Sequence, residues 1–277
     1  MRQKISLTIK IGRGMLMTRD FKDIIEETRL RGQEEAANMK GSSKNKPVVP
    51  SEDELIEKAI AETLRLLDIP YKYRDKGFDD FNIGRLSNKK PDLIIADLQK
   101  YAESYIENQL TLNWLVLQGP SDSGKTHLAA AIIKEALSQK VAYYVRKNPN
   151  KHDKTYQTLA REFIFTSCGN LFQEIKNSYD CNDINERDVL EKYKSCRMLV
   201  LDDLGTEQSS KWVQDKLFNI LDYRFGEMLP TIITTSLTPR EFLDYVSDKT
   251  LTRIIENADK GNRLYKLTAY SSRQYAS

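Results

Sequence analysis

The sequence is poor in the side chains that build disulfide frameworks and histidine-based metal sites. Its 277 residues include three cysteines, Cys168, Cys181 and Cys196, and two histidines, His127 and His152. Three widely spaced cysteines indicate neither paired disulfides nor a Cys-x-x-Cys zinc site. Two isolated histidines do not supply the ligand set of a zinc enzyme. The sequence therefore argues against a disulfide-stapled domain and against histidine-bound metal catalysis.

Long hydrophobic runs are also absent. No stretch is apolar enough to cross a bilayer. The N-terminal residues reach Arg13, Arg19 and Lys22 without the apolar segment and small-residue cleavage site of a secretion signal. We therefore expect a cytoplasmic protein, long enough for one large or two modest domains.

Positive charge is concentrated at the N-terminus, although 43 basic and 40 acidic residues leave a net charge of only +3. Residues 1–50 contain 11 lysines and arginines against 6 aspartates and glutamates. We interpret residues 1–46 as a basic arm or partner-binding region, which either contacts nucleic acid or an acidic protein face or is simply solvated. A polar linker at residues 40–50 ends it. We expect a helical linker over residues 47–109 and an α/β core over residues 110–277.

Two amphipathic segments precede the core. Ser51 and Glu54 have the spacing of a capping box and predict a helix through about Leu67. A second helix is predicted at about residues 91–108. It leads into the first strand of the core.

A glycine-rich motif lies between an apolar run and an alanine-rich segment. Residues 119–126 match the pattern G-x-x-x-x-G-K-[ST]. Glycines allow backbone N–H groups to turn onto phosphates, and the helix N-terminus adds its positive dipole end. We expect Lys125 to reach the β and γ oxygens and Thr126 to offer its hydroxyl to Mg²⁺. The candidate cofactor-binding residues here are Gly119, Pro120, Ser121, Asp122, Ser123, Gly124, Lys125, Thr126 and His127.

A triphosphate site also needs a carboxylate for its metal, and residues 197–205 provide a candidate. Four apolar residues run directly into Asp202 and Asp203, as in a strand buried on both faces of a parallel sheet. The carboxyl ends of such strands open onto the ligand crevice. We expect Asp202 to hold Mg²⁺ and either Asp203 or Glu207 to polarise the attacking water. The alternative is an ordinary buried strand followed by a turn.

Short apolar strands alternate with helical segments along the core. This alternation is typical of a parallel sheet covered by helices on both faces. The predicted fold class is α/β, a P-loop NTPase with a parallel sheet flanked by helices and a small, mostly helical N-terminal region. The predicted strands are residues 141–145, 163–166 and 231–235, and the predicted helices are residues 128–137, 170–178 and 186–194.

A polar insertion interrupts this alternation. Residues 146–162 carry five basic and two acidic side chains. We predict a loop or hairpin there, either solvated or in contact with nucleic acid.

Two other nucleotide-dependent classes use similar motifs. A GTPase would need Asn-Lys-x-Asp downstream of the phosphate loop, whereas Asn88-Lys-Lys-Pro-Asp92 has another spacing and lies upstream. Guanine recognition is therefore disfavoured. A small-molecule kinase stays open, because the same loop and aspartate pair would serve it, but no arginine-rich lid segment is evident.

Four stretches carry a family resemblance that covers about residue 69 to the C-terminus. They are Ile69-Pro-Tyr-Lys-Tyr-Arg-Asp-Lys-Gly-Phe-Asp-Asp-Phe81, Gly124-Lys-Thr-His-Leu-Ala129, Leu199-Val-Leu-Asp-Asp-Leu-Gly-Thr-Glu207 and Pro230-Thr-Ile-Ile-Thr-Thr-Ser-Leu237. The first and third are the most specific. With these motifs the chain resembles the AAA+ ATPases of the bacterial helicase-loader (DnaC/DnaI-like) and IstB-like group.

The resemblance implies an ATPase that uses ATP and Mg²⁺ and engages single-stranded DNA and a partner protein. The partner would be a replicative helicase, or alternatively a transposase, and the active form would be a homo-oligomer. A further alternative is an ATP-switch binding module with little turnover. Residues 71–81, including Tyr73, would lie near the adenine. Arg253 resembles an arginine that senses phosphates at a subunit boundary, where a planar cation neutralises transition-state charge.

Three positions depart from the pattern of the resembling group. Ser236 occupies a sensor position that is commonly Asn, although its hydroxyl can still hold a water molecule. Asn257 stands where a second arginine is often found, and Asp122 stands where the phosphate loop often has Gly. The first two departures predict slow hydrolysis and keep the ATP-switch alternative open.

Overall fold

A parallel sheet of five strands forms the centre of the described structure. The structure is a computed structural model that describes residues 6–11, 15–20, 51–105, 114–148, 154–179, 185–259 and 263–269. Strands β1 (Ser6–Ile11) and β2 (Met15–Asp20) pair antiparallel in a separate hairpin. The strands of the central sheet are β3 (Leu115–Gln118), β4 (Phe163–Ser167), β5 (Met198–Leu204), β6 (Thr231–Thr235) and β7 (Leu264–Lys266).

The order of the sheet is β4-β5-β6-β3-β7, and all its neighbouring strands are parallel. Strand β6 therefore lies between β3, which precedes the phosphate loop, and β5, which carries the two aspartates. A side chain at the carboxyl end of β6 can reach the residues that follow β5. The carboxyl ends of parallel strands share one edge of a sheet, so the two motifs face the same crevice.

Helices cover both faces of the sheet, and the predicted α/β fold is confirmed. One hydrophobic core packs the two helices before β3 and the phosphate-loop helix against the sheet, and a second core packs the later helices against the other face. Within the described residues, none of the helices is both long and apolar enough for a membrane span. The helices are α1 (Glu52–Leu64), α2 (Pro91–Glu103), α3 (Lys125–Lys147), α4 (Lys154–Arg161), α5 (Cys168–Asn177), α6 (Glu186–Ser195), α7 (Lys211–Gly226), α8 (Pro239–Tyr245) and α9 (Asp248–Asp259).

Residues 51–105, which precede the sheet, are largely helical, as predicted. The capping box at the start of α1 is present: Glu54 N–H donates to Ser51 Oγ at 3.3 Å, and Ser51 N–H donates to Glu54 Oε2 at 3.0 Å. The β1–β2 hairpin was not predicted. The predicted linker at residues 40–50 lies outside the described residues.

The predicted strand at residues 141–145 is wrong, because these residues continue helix α3 to Lys147. Val141 and Val145 are buried one helical turn apart, on the face that Leu137 also occupies. Packing of this face against the core overrides the strand preference of valine and tyrosine. The predicted loop at residues 146–162 is likewise partly wrong, since its last part forms α4. Residues 149–153 lie outside the described residues.

A buried arginine on α7 joins three segments of the second core face. Arg224 is 0% exposed, and its guanidinium donates to the carbonyl oxygens of Tyr193, Cys196 and Pro230 at 2.7–3.1 Å. Its Nε donates to Thr231 Oγ1 at 2.9 Å. Arg224 thus supplies donors to the segments that lead into β5 and β6.

Candidate nucleotide-binding site

The phosphate loop connects the end of β3 to the start of α3, and Gly124 is its tightest point. Gly124 has φ +88°, and a Cβ atom there would lie 2.3 Å from Cε2 of Phe81. Backbone conformation and crowding both require glycine. None of the described side chains caps the first turn of α3. Its N–H groups therefore remain available to an anionic ligand.

The other loop positions have distinct environments. A Cβ atom on Gly119 would lie 2.4 Å from the carbonyl oxygen of Leu267 after β7, so glycine permits this close approach. Asp122 has φ +64°, a conformation that glycine favours and that aspartate tolerates better than most residues. This accounts for aspartate at a position that is often glycine. Ser123 is buried, and its Oγ has no hydrogen-bond partner among the described residues.

A β-bulge brings the two aspartates of β5 to the phosphate loop. The register between β5 and β6 shifts between Leu201 and Leu204, and Asp203 has φ +55°. Bulges re-aim side chains in this way beside functional sites. Thr234 Oγ1 donates to Asp202 Oδ1 at 2.7 Å and accepts from the backbone N–H of Asp203 at 2.9 Å. One hydroxyl of β6 therefore fixes both aspartates.

The phosphate loop and the aspartates face one cavity, which Thr126, Asp202 and Asp203 line together. The Thr126 hydroxyl lies close enough to the Asp202 carboxylate to lower its pKa. Lys125 Nζ donates to the carbonyl oxygens of Gly119 and Pro120, both at 2.9 Å. Thr126 and Asp202 thus place a hydroxyl and a carboxylate side by side, and oxygen ligands of this kind suit Mg²⁺.

Burial changes the protonation of both charged groups at this contact. Asp202 is 4% exposed, and burial raises its pKa to about 6, against the opposing hydrogen bond from Thr234. Burial also lowers the pKa of Lys125, while the carboxylates of Asp203, Asp202 and Asp122 oppose that shift. The site therefore holds a buried carboxylate at a free-energy cost, as functional sites often do.

The raised pKa of Asp202 predicts an unusual pH dependence of stability. The folded state binds this proton more tightly than the unfolded state, so the contribution of Asp202 to stability falls as pH rises from about 4 to about 6. Above that window the charged carboxylate costs at most about 3 kcal/mol, from a shift of about two units. We expect Asp202→Asn to raise the free energy of unfolding at pH 7 and to change it little at pH 4.

Urea unfolding of both proteins at the two pH values measures this difference. The comparison at pH 4 is the internal control, because Asp202 in the folded protein is then protonated and, like asparagine, uncharged. A variant that is less stable than the wild type at pH 7 would contradict the assignment.

A cleft of about 590 Å³ runs along the phosphate loop, within the usual range of about 300–1,000 Å³ for small-molecule sites. Four cationic and three acidic side chains line it, which favours an anionic ligand. A second cavity of about 490 Å³ shares Tyr73, Thr126 and Asp203 with it. The cleft is lined by Lys72, Tyr73, Lys76, Asp80, Phe81, Asn82, Arg85, Ser121, Asp122, Gly124, Lys125, Thr126, His127, Asp203, Thr206 and Ser236.

Residues 71–81 pack against the start of α3 and form one wall of the cleft. The ring of His127 lies 5.7 Å from that of Tyr73 and 5.4 Å from that of Phe81, between ring centroids. His127 Nε2 lies 2.8 Å from the carbonyl oxygen of Gly77, which can only accept, so Nε2 carries the hydrogen. Burial lowers the pKa of His127. The histidine is therefore a neutral, aromatic part of this wall.

Three predicted catalytic residues, Asp202, Glu207 and Arg253, do not line the cleft, and Asp202 lines the second cavity instead. Glu207 is exposed, and its Oε1 lies 2.8 Å from where a Cβ atom on Gly169 would stand. Arg253 donates from Nε to Asp222 Oδ1 at 2.9 Å and stacks on Phe225, 4.5 Å from the ring centroid. Ser236, in contrast, is exposed at the cleft beside Asp203.

Two residues that organise the site, Thr234 and Lys134, were not predicted. Thr234 is a polar residue that directly follows the two isoleucines of β6. A polar side chain at that place in a buried strand was the available sequence signal. Lys134 is 7% exposed and donates to backbone carbonyls of the 71–81 segment. It lies two turns after His127 on the same face of α3. For Lys134 the available sequence signal was a lysine on the buried face of an alanine-rich helix.

Comparisons with known proteins agree with the motifs. A family profile described as IstB-like ATP binding protein matches residues 158–258. The replicative helicase loader DnaI of Bacillus subtilis is 28% identical over 46% of this chain, and the match spans 34% of DnaI. The replicative helicase loader DnaC of Escherichia coli is 20% identical over 64% of this chain, and the match spans 62% of DnaC.

The fold is also similar to that of a solved structure. AMPPCP-bound DnaA from Aquifex aeolicus matches with a TM-score of 0.50 and 20% identity, over 72% of this chain and 51% of that chain. The predicted resemblance is thereby confirmed: the chain has the P-loop fold of AAA+ ATP-binding proteins and is similar to the helicase-loader and IstB-like group.

Proposed function

We propose that this chain binds and hydrolyses ATP with Mg²⁺ and acts in DNA replication as a loader of a replicative helicase. The observation that supports nucleotide binding is that Thr126 of the phosphate loop and the two aspartates of β5 line one cavity. This cavity lies at the carboxyl edge of the sheet, where ligands bind in open α/β folds.

The loop and its helix would hold the triphosphate. The uncapped N–H groups of α3 meet the phosphate oxygens, and Lys125 exchanges its two loop carbonyls for the β and γ oxygens. Lys72, Lys76 and Arg85 add positive charge along the cleft. Tyr73 and its neighbours in the 71–81 wall would contact the base.

Mg²⁺ fits the pair formed by Thr126 and Asp202, because both offer oxygen ligands. Bound there, the ion would neutralise charge on the β and γ phosphates during transfer. Asp202 is already held by Thr234, so its carboxylate is oriented by the protein itself.

Asp203 is the better placed of the two candidates for polarising the attacking water. Its side chain lines the cleft, whereas that of Glu207 does not. Ser236 lies nearby and would hold that water or the γ phosphate. The left-handed backbone of Asp203 points this side chain away from the course of the strand.

The partner assignment is supported by the relatives, whose names identify them as replicative helicase loaders. We propose that the basic N-terminal region binds the helicase while the core engages single-stranded DNA. Arg253 is absent from the cleft of its own chain. If Arg253 contacts nucleotide, it therefore contacts the nucleotide of a neighbouring copy in a homo-oligomer.

A second candidate function is assistance to a transposase. The match of residues 158–258 to the IstB-like profile favours it. Both functions use the same nucleotide site, and they differ in the partner.

Two measurements test the proposed function. The rate of phosphate release from ATP is measured with and without single-stranded DNA, and we expect stimulation by DNA that weakens steeply as salt rises, because counterion release drives DNA binding. The full chain is then used as bait against a purified replicative helicase and a purified transposase from the same cells. If the chain captures the transposase and not the helicase, assistance to a transposase is the better assignment. If the rate of phosphate release is the same with and without single-stranded DNA, ATP hydrolysis is not coupled to DNA.

A further inference from the structure

Lys134 ties the 71–81 segment to helix α3. Its Nζ donates to the carbonyl oxygen of Tyr73 at 2.9 Å and to that of Arg74 at 3.1 Å. It also donates to the carbonyl oxygen of Lys76. An ammonium group has three donors, so the three carbonyls use its whole capacity.

This contact is unusual because a buried cation meets carbonyl groups in place of a carboxylate. Lys134 is 7% exposed, and among the described residues no acidic side chain is within ion-pair distance of its Nζ. Burial lowers the pKa of Lys134 to about 8, while Asp75 and Asp80 at longer range oppose the shift. A buried charge is costly unless it is both paired with an opposite charge and hydrogen-bonded, and Lys134 meets only the second condition. The protein thus bears a free-energy cost at a contact that fixes the position of these carbonyls.

Two of the residues that supply these carbonyls also line the cleft with their side chains. Tyr73 and Lys76 both line the cleft. The segment has little regular structure of its own beyond a single 3-10 turn, Tyr71–Tyr73. Without an anchor, ordering this segment would cost conformational entropy on ligand binding. His127 provides a second anchor at Gly77, on the same face of α3.

We propose that Lys134 is a positioning residue that holds the 71–81 segment in the conformation that receives the base of the nucleotide. Lys134 then sets how much more tightly the protein binds a nucleoside triphosphate than a bare polyphosphate. This inference rests on the proposed ATP site. The phosphate loop then provides the affinity for the phosphates, and the 71–81 segment, anchored by Lys134, provides the affinity for the base.

The test compares ATP with inorganic tripolyphosphate, each with Mg²⁺, by titration calorimetry on the full chain. We expect Lys134→Met to weaken ATP binding roughly tenfold, about 1.4 kcal/mol, and to leave tripolyphosphate binding unchanged within about twofold. A loss of general stability alone would not change the ratio of the two affinities. Lys140→Met is the matched control, because it removes a lysine from the same helix near Glu162 and Arg197. In Lys140→Met the ratio of ATP affinity to tripolyphosphate affinity should equal that of the wild type.

The possible results separate the two proposals. If the wild type binds neither ligand, the ATP site itself is wrong. If the wild type prefers ATP and Lys134→Met keeps the full preference, or loses affinity for both ligands equally, the role of Lys134 is overturned. Should Lys134→Met fail to fold, the ratio is measured on Lys134→Gln, whose shorter, uncharged side chain cannot donate to all three carbonyls. An unchanged ratio in that variant also overturns the inference.

Discussion

Replacing Lys125 with alanine is expected to lower the affinity for ATP by about a hundredfold or more, a loss of roughly 3 kcal/mol. Lys125 is the cation at the centre of the phosphate loop, and charge-assisted hydrogen bonds to phosphate are among the strongest polar contacts. Lys125 itself lines the cleft, so water can take the place of its ammonium group, which now donates to the carbonyl oxygens of Gly119 and Pro120. We therefore expect the variant to fold, and thermal unfolding checks this. Calorimetric titration with ATP and Mg²⁺ measures the affinity.

Asp203→Asn separates binding from hydrolysis at the same site. Asparagine adopts a left-handed conformation readily, so it fits φ +55° without new strain. We expect ATP affinity close to that of the wild type and loss of phosphate release. Equal rates of release from the variant and the wild type would refute the role of Asp203. Full ATP affinity in Lys125→Ala would refute the phosphate loop as the binding site.

Replacing Arg224 with alanine is expected to reduce the free energy of unfolding by about 3 to 5 kcal/mol, because several buried carbonyl groups, at roughly 1–3 kcal/mol each, lose their donor. The carbonyls belong to Tyr193, Cys196 and Pro230. The variant also leaves a cavity beside Thr231, which adds to the loss.

Urea unfolding measures this effect. Arg240→Ala is the matched control, because Arg240 lies exposed on α8 and exposed polar substitutions usually change stability by less than about 0.5 kcal/mol. A loss in Arg224→Ala no larger than that of the control would show that the guanidinium does not hold these segments. Since β5 and β6 carry Asp202 and Thr234, we also expect weaker ATP binding in the variant at temperatures where it is still folded.

The nucleotide site could be predicted from sequence largely because its parts are local. The phosphate loop is one contiguous segment, and its glycine requirement follows from backbone geometry. The Asp202–Asp203 pair directly follows an apolar run, which marks a buried strand. The topology of parallel sheets then places the ends of these strands together. Each of these steps uses neighbouring residues and a general rule of chain geometry.

The remaining features depend on contacts between distant segments. Val141 and Val145 have strand preference, yet packing of α3 against the sheet keeps them helical. Lys134 and Arg224 are charged residues whose partners are backbone carbonyls, and carbonyls carry no sequence signal. The β-bulge at Asp202 and Asp203 depends on pairing with β6. None of these contacts follows from local pattern.

The double hydrogen bond of Thr234 has a kinetic consequence. Its oxygen accepts from the N–H of Asp203, and its proton is donated to Asp202. The sheet thus orients the Asp202 carboxylate, the proposed ligand of Mg²⁺, before nucleotide arrives. Association therefore needs no reorientation of this carboxylate, and we expect no slow phase from this part of the site.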